Sequence, residues 1–319
     1  MSARARFIVR RLLLAIPVIV VMSVFVFLMI RLVPGDPVRT MLGFRATPEN
    51  VRQVRRALGL DQGLASQYFS WAGGLLHGNL GEDFISHTPV STLLSTRLPV
   101  TIELTLLSMT LAVLIGVPLG VRAAARPGIV RTLTEGFVVA GIAIPDFWLG
   151  IMLVLVFAGM NQLLPPSGYV PFLQDPAQNL RYMVLPVLTL AAGEAAYILR
   201  TTRGAMDETL VTPYVRFLRA KGLSERRIVF RHALRNAAAP IVTVIGIQFG
   251  VLLGGAIVIE TLFALPGVGR LIVTSIRQRN YIVVQGGVLL VAILFIVVNL
   301  ATDIVVGGLD PRIEEGQSA

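Results

Sequence analysis

The sequence predicts an all-α polytopic membrane protein with six transmembrane helices. Three observations lead there. The 319 residues are 55% hydrophobic and only 14% charged, with a mean hydropathy of +0.76, too little polar surface for a water-soluble domain. The apolar residues fall in long continuous runs, not in the alternating pattern of a barrel strand. The loops between those runs differ sharply in charge. With no Cys, disulfides, thiol chemistry and iron–sulfur ligation are excluded. The net charge of +10 is carried by Arg, with Lys221 the single lysine. In a membrane chain that balance fits basic loops on one side of the bilayer, not nucleic acid.

The first run holds 19 uncharged residues, Leu12 to Ile30, behind Arg4, Arg6, Arg10 and Arg11. At 1.5 Å per residue it crosses a hydrocarbon layer of about 30 Å. It is longer than a signal-peptide core and lacks a small-residue cleavage site, so an uncleaved span is expected over 10–31. Further spans are expected at 99–122, 135–160, 182–202, 237–259 and 283–307.

Loop charge sets the expected orientation. The 122–134 loop carries Arg122, Arg126 and Arg131 without an acid. The 203–236 loop carries seven Arg and Lys221 against Asp207, Glu208 and Glu225. The 32–98 segment is balanced, with six Arg and five acids. Both termini and the two basic loops are therefore expected in the cytoplasm, with 32–98 outside. The expected division is 1–31 (N-terminus and first span), 32–98 (external loop of short helices), 99–307 (a five-helix core containing the 203–236 loop) and 308–319 (cytoplasmic tail).

Within 32–98, Thr47 is placed to cap a helix, Pro48 suits its first turn and Gly59 its end, with Val51, Val54 and Leu58 on one face. Tyr68, Phe69 and Trp71 suit a lipid–water boundary. The segment could cover the external mouth or simply rest on the membrane.

No phosphate-binding GxxxxGK[ST], HExxH, GxSxG or kinase motif is present. His77 and His87 flank Asp83, but the spacing is loose for a metal site. Gly250, Gly254 and Gly255 resemble a small-residue packing seam. Glu103, Glu260 and Asp303 lie near span ends, where solvated or capping roles are expected. Asp146 and Glu194 lie about a dozen residues into the third and fourth spans, which run in opposite directions, so similar depths are expected. A charge at such depth costs about 2.5–3.5 kcal/mol on insertion scales. The two acids either line a path for a polar, cationic solute or are protonated packing groups near a kink at Pro145.

The 203–236 loop is the other feature. Tyr214, Phe217 and Leu218 recur at helical spacing, Gly222 should end that helix, and Ser224 with Glu225 should start the next. Such a helix suits either a groove on a soluble partner or the surface of anionic lipid.

Motifs along the whole chain carry a resemblance: "PGDP" at 34–37, "GNLG" at 78–81, "PVTIELT" at 99–105, "IPDFWLG" at 144–150, "RAKGL" at 219–223, "HALRNA" at 232–237, "ETLFALPGVGRL" at 260–271, "VVQGGVLL" at 283–290 and "DPRI" at 310–313. The chain resembles ABC importer permeases of the dipeptide/oligopeptide/nickel and glutathione class, in their B-type subunit. Arg216-Phe217-Leu218 stands where importer permeases generally have Glu-Ala-Ala, a departure that suits this branch. Glu194 stands where the branch has a neutral residue, so its role is argued from its own chemistry.

The resemblance implies the type I importer permease fold and a cytoplasmic membrane location in a bacterium or archaeon. It implies a second homologous permease, two ATP-binding subunits holding ATP and Mg, and an external solute-binding protein, with no cofactor on this chain and no enzymatic activity of its own. It implies that Tyr214, Phe217, Leu218, Arg219, Ala220, Lys221, Gly222 and Leu223 form an ATPase-coupling helix and turn. The solute it implies is a di- or oligopeptide or a related small molecule. The rival is a self-sufficient proton-coupled transporter using Asp146 and Glu194, against which no internal repeat is evident.

Overall fold

A computed structural model describes residues 3–31, 37–43, 46–57, 60–126 and 128–309. Its contacts divide the chain into two compact units, one of Met1–Leu12, Ile102–Leu265 and Val297–Ala319, the other of Leu13–Thr101 and Pro266–Ile296. Among the described residues the only extended pairing is an isolated bridge between Glu82 and Pro89. Among the described residues five helices are long and apolar enough to cross a membrane, and a bent pair makes a sixth if counted as one span.

α1 (Ala3–Arg31), which belongs to the second unit from Leu13 on, leaves most of its apolar surface exposed, as a helix solvated by lipid does. Near its end Val26 and Phe27 are buried. Phe27 meets Tyr68 edge-on at 5.3 Å and Trp71 at 5.6 Å, and the Ser23 hydroxyl lies 2.8 Å from the Tyr68 hydroxyl. Two short helices, α2 (Pro37–Leu42) and α3 (Pro48–Ala57), precede α4 (Leu64–Leu76). Thr47 caps α3 as expected, its hydroxyl accepting from the Asn50 amide at 3.2 Å. Val51 is buried; Gly59, Leu58 and the Val54 side chain, like most of "PGDP" and all of "DPRI", lie outside the described residues. The aromatic trio is split. Tyr68 and Trp71 turn to α1 and only Phe69 is strongly exposed, because adjacent helical residues point about 100° apart.

Gly81 sits so close to Ile282 that a Cβ would come within 2.8 Å of a methyl group. Beside it Asp83 is buried, not a loop ligand: it accepts from the amides of Ile85 (3.0 Å) and Ser86 (3.2 Å), the Ser86 hydroxyl and the Asn280 amide. Burial pushes its carboxyl up, but the four bonds outweigh that and hold it below the ordinary carboxylate range. No three His, Cys, Asp or Glu side chains cluster as metal ligands among the described residues.

The remaining helices are α5 (Val90–Ala125), α6 (Ile129–Ala143), α7 (Asp146–Leu153), α8 (Pro176–Leu210), α9 (Pro213–Ala220), α10 (Glu225–Arg227), α11 (Leu234–Asn236), α12 (Ala238–Leu262), α13 (Val268–Arg277) and α14 (Tyr281–Leu309). Wider π-helical turns, Val154–Met160 and Ile228–Ala233, continue α7 and α10. The expected span at 135–160 is instead two helices, α6 and the α7 segment, meeting at 102°. Pro145 disfavours the helical region for Ile144, which sits at φ −83°, ψ 120°, and the chain leaves the α6 axis there. The amphipathic α13 was not expected. It buries Val268, Leu271 and Ile272 with Val90 and Leu94 of α5 and Val283 of α14. Gly286 and Gly287 let α14 reach Val90 and Ile272, where a Cβ would come within 2.7 and 2.6 Å.

In the first unit α8 lies at the centre. Asp175 caps it, accepting from Ala177 and Gln178 at 3.1 and 3.0 Å, with Pro176 in its first turn. Gly116 and Gly120 of α5 approach its backbone. A Cβ at either would lie 2.8 Å from a carbonyl oxygen of α8, Ala195 or Leu199 respectively. The expected glycine seam on α12 is partly replaced. Gly254 faces open space, whereas Gly246, not anticipated, packs directly onto Thr302 of α14. Glu260 is fully buried instead of solvated, with Phe263 and Leu265 buried in the turn that follows it. Glu103 accepts from the Tyr169 hydroxyl at 2.7 Å, and Asp303 pairs with Arg11 at 2.8 Å.

Candidate functional site

The segment after α8 is built as a two-sided element. Pro213 opens α9 and Gly222, at φ +75°, turns the chain after Lys221, as the residue pattern predicts. Val215 and Leu218 face inward and bury against Ile228, flanked by Leu210 and Leu223. The π-helical turn brings Val229 and Ala233 onto Val121 of α5, Met206 of α8 and Ile241 of α12. The helical spacing of Tyr214, Phe217 and Leu218 therefore divides. Leu218 anchors the helix to its own chain, a role it shares with Val215, while Tyr214 (45% exposed) and Phe217 (55%) face out.

The outer face has its own order. The Tyr214 hydroxyl lies 3.0 Å from His232 Nδ1, and Lys221 Nζ stands 4.6 Å from the Phe217 ring centre. Arg219 donates to Glu225 at 2.7 and 3.3 Å and to the Leu210 carbonyl at 3.4 Å. Its hydrogen bonds to the Glu225 carboxylate raise the guanidinium pKa and lower that of Glu225. Glu225 is thus an ion-pair partner as well as a first-turn acid, and the Ser224 side chain makes no capping bond. Gly222 faces open space, and Ala220 is exposed. Two exposed apolar residues flanking this helix in the sequence were missed, Val211 and Phe230. An aromatic residue between arginines, as in "RRIVFRH", is the signal that could have found Phe230.

The second feature lies within the spans. Asp146 is the first residue of α7, and the break at Ile144–Pro145 sets it against α8. A Cβ on Gly193 would be 3.2 Å from an Asp146 carboxylate oxygen. The next residue is Glu194, so the two acids lie near one another, where the sequence suggested only similar depths. Glu194 accepts from Gln248 of α12 at 2.8 Å, and both side chains are more than nine-tenths buried. Gln248 was missed, although it is the one amide in the uncharged stretch 238–259. Neither acid has an ion-pair partner among the described residues. Two carboxylates and one amide can hold a proton or attract a cation.

Two family models match the chain. Residues 116–315 match the model described as binding-protein-dependent transport system inner membrane component, and residues 4–105 match the N-terminal part of such membrane components. The dipeptide transport system permease protein DppB of Escherichia coli K12 is 39% identical over 333 residues, covering 97% of this chain and 98% of its own. A protein of Brucella abortus, provisionally named as a peptide transport system permease, is 40% identical over 307 residues, covering 96% and 98%. A chain of the methionine ABC transporter MetNI, solved in inward-facing conformations, superposes with a TM-score of 0.53 at 21% identity, covering 68% of this chain and 96% of that one. At that identity the likeness shows the fold alone, a type I ABC importer permease.

Proposed function

This chain belongs to the family of binding-protein-dependent transport system inner membrane components, and we propose that it is the B-type permease subunit of an ATP-driven importer of di- or oligopeptides. The peptide relatives at about 40% identity over nearly the whole chain support that solute class. The partners are a second homologous permease, two ATP-binding subunits that carry ATP and Mg, and an external solute-binding protein. The membrane is the cytoplasmic membrane of a bacterium or archaeon. The positions of the basic loops support cytoplasmic termini and an external 32–98 loop. The core at 99–307 holds the transport path, and 308–319 is a cytoplasmic tail.

The observation that carries this reading is the division of α9. One face, Val215 and Leu218, is locked to Ile228, while Tyr214 and Phe217 remain exposed beside Lys221. A helix held that firmly on one side and bare on the other transmits a push from a partner groove without unfolding. ATP-driven closure of the ATPases then biases a two-state path between inward and outward openings. Arg219 and its Glu225 partner fix the turn at Lys221-Gly222, and Ala220 and Leu223 complete it. Asp146, Glu194 and Gln248 line the solute path and receive the cationic amino terminus of a short peptide.

The test is co-purification from native membranes in mild detergent with the double variant Tyr214→Ala/Phe217→Ala. Loss of the ATPase subunits, with the second permease retained, supports the coupling assignment; retained ATPases and normal peptide uptake overturn it. Uptake by the purified chain alone under a proton gradient would instead establish the proton-coupled rival.

A further inference from the structure

Between α6 and α8 lies a groove of about 470 Å³. Val138, Val139, Ile142 and Ala143 of α6 form its apolar wall, and Arg200 and Arg203 of α8 stand at its polar end beside Glu135. It is held at two points. Gly141 lets α6 touch α8, where a Cβ would come within 2.7 Å of the Ala196 methyl group, and Arg203 pairs with Glu135 at 2.9 Å. The rest of the charge there is nearly spoken for. Arg131 lies 3.4 Å from Glu135 and 3.5 Å from Asp207. Arg200 is exposed and makes no hydrogen bond or ion pair among the described residues, leaving three arginines against two acids.

The position matters as much as the charge. Going back from Arg200 along α8, residues 182–199 contain no charged side chain but Glu194; going forward from Glu135 along α6, none appears before Asp146. Both helices therefore change from charged to apolar at this end of the groove, where a membrane boundary falls. Val139 is 68% exposed, so the wall is open to whatever lies beside it. An unpaired guanidinium at a boundary, with an apolar slot running from it toward the membrane interior, matches a ligand with an anionic head and a hydrocarbon tail.

We propose that this groove binds an anionic phospholipid, its phosphate on Arg200 with Arg203 in support and an acyl chain along Val138, Val139, Ile142 and Ala143. The proposal holds whichever solute the importer carries.

The test is native mass spectrometry of the intact transporter complex in detergent, titrated with phosphatidylglycerol or with zwitterionic phosphatidylethanolamine. Wild type should retain phosphatidylglycerol in preference. Arg200→Gln should lower that retention about fivefold, the effect of one basic residue at a lipid surface. Arg181→Gln, at the opposite end of α8, should leave it unchanged. Val139→Trp, which fills the slot and leaves the arginines in place, should lower retention of both lipids. Equal retention by wild type, Arg200→Gln and Val139→Trp overturns the proposal. Displacement of the lipid by free glycerol phosphate would show a headgroup-only anion site and also overturn it. Disulfide capture of another subunit by Val139→Cys in native membranes would overturn it by assigning the groove to protein.

Discussion

Helices α1 and α8 both read as membrane spans, yet the more apolar is the less buried. Only 17% of the most apolar stretch of α1 is buried in the protein, against 67% for α8. The difference follows from what solvates each. Little of this chain covers α1, so its exposed positions can be hydrocarbon facing lipid and few need a partner within the chain. Protein surrounds α8, so it can hold Asn179, Thr189, Glu194 and Thr202 in its buried surface, where helix contacts, not lipid, decide what each side chain meets. Hydropathy therefore scores highest the span that this chain buries least, and the buried acid Glu194 sits on a span it scores lower.

The sharpest way to break that contrast is to overpack α8. Gly120→Leu would drive a side chain into Thr202 and the Leu199 carbonyl and should destabilise the first unit by about 3 kcal/mol, seen as a lower melting temperature of the purified complex. Val21→Ala on α1, at a side chain 67% exposed, should change stability by less than about 0.5 kcal/mol in the same assay. Equal losses would refute the idea that the two helices have different solvents.

The next effect is smaller. Glu194→Leu makes α8 more like α1 but strands the buried Gln248 amide, and should cost about 2 kcal/mol; Glu194→Gln keeps a hydrogen-bond acceptor and should cost less than half as much. If Glu194 serves the solute path, both variants lose peptide uptake although only one loses stability. Gly222 probes the third solvent, water. A Cβ there meets nothing, so Gly222→Ala should cost only the left-handed backbone penalty of about 1–2 kcal/mol. It should impair transport more than it lowers the melting temperature.

Asp83 gives the smallest effect. Its carboxyl is held below the ordinary carboxylate range, so the stability it contributes is complete above that range and is lost as pH falls through its lowered pKa. Wild type should therefore weaken below about pH 4, while Asp83→Asn should start weaker at pH 7 and show a flatter acid limb in pH-dependent melting.

Much of this was legible because each cue acts locally. Continuous apolar runs located the long helices, Thr47 its cap, and Gly222 the turn after α9. Counting positions along antiparallel spans gave similar depths for Asp146 and Glu194; their proximity across the Ile144–Pro145 break was not part of that reading. What was not legible depends on neighbours distant in sequence. No local pattern says that Leu218 turns inward while Phe217 stays bare, because Ile228 decides it. Gln248 gained meaning only when α12 brought it to Glu194. The third span was read as one helix because hydropathy does not register direction, and the Ile144–Pro145 break changes direction without changing hydrophobicity.

That break has one more consequence. Where α6 stops and α7 starts, peptide groups lose their repeating partners, so the last carbonyls of one helix and the first amides of the other lack helical bonds beside partly exposed, mostly apolar side chains. The main chain thereby supplies polarity that no side-chain alphabet encodes: a patch that survives replacement of the surrounding residues by any hydrocarbon, invisible to a hydropathy scan, placed where Asp146 begins its helix.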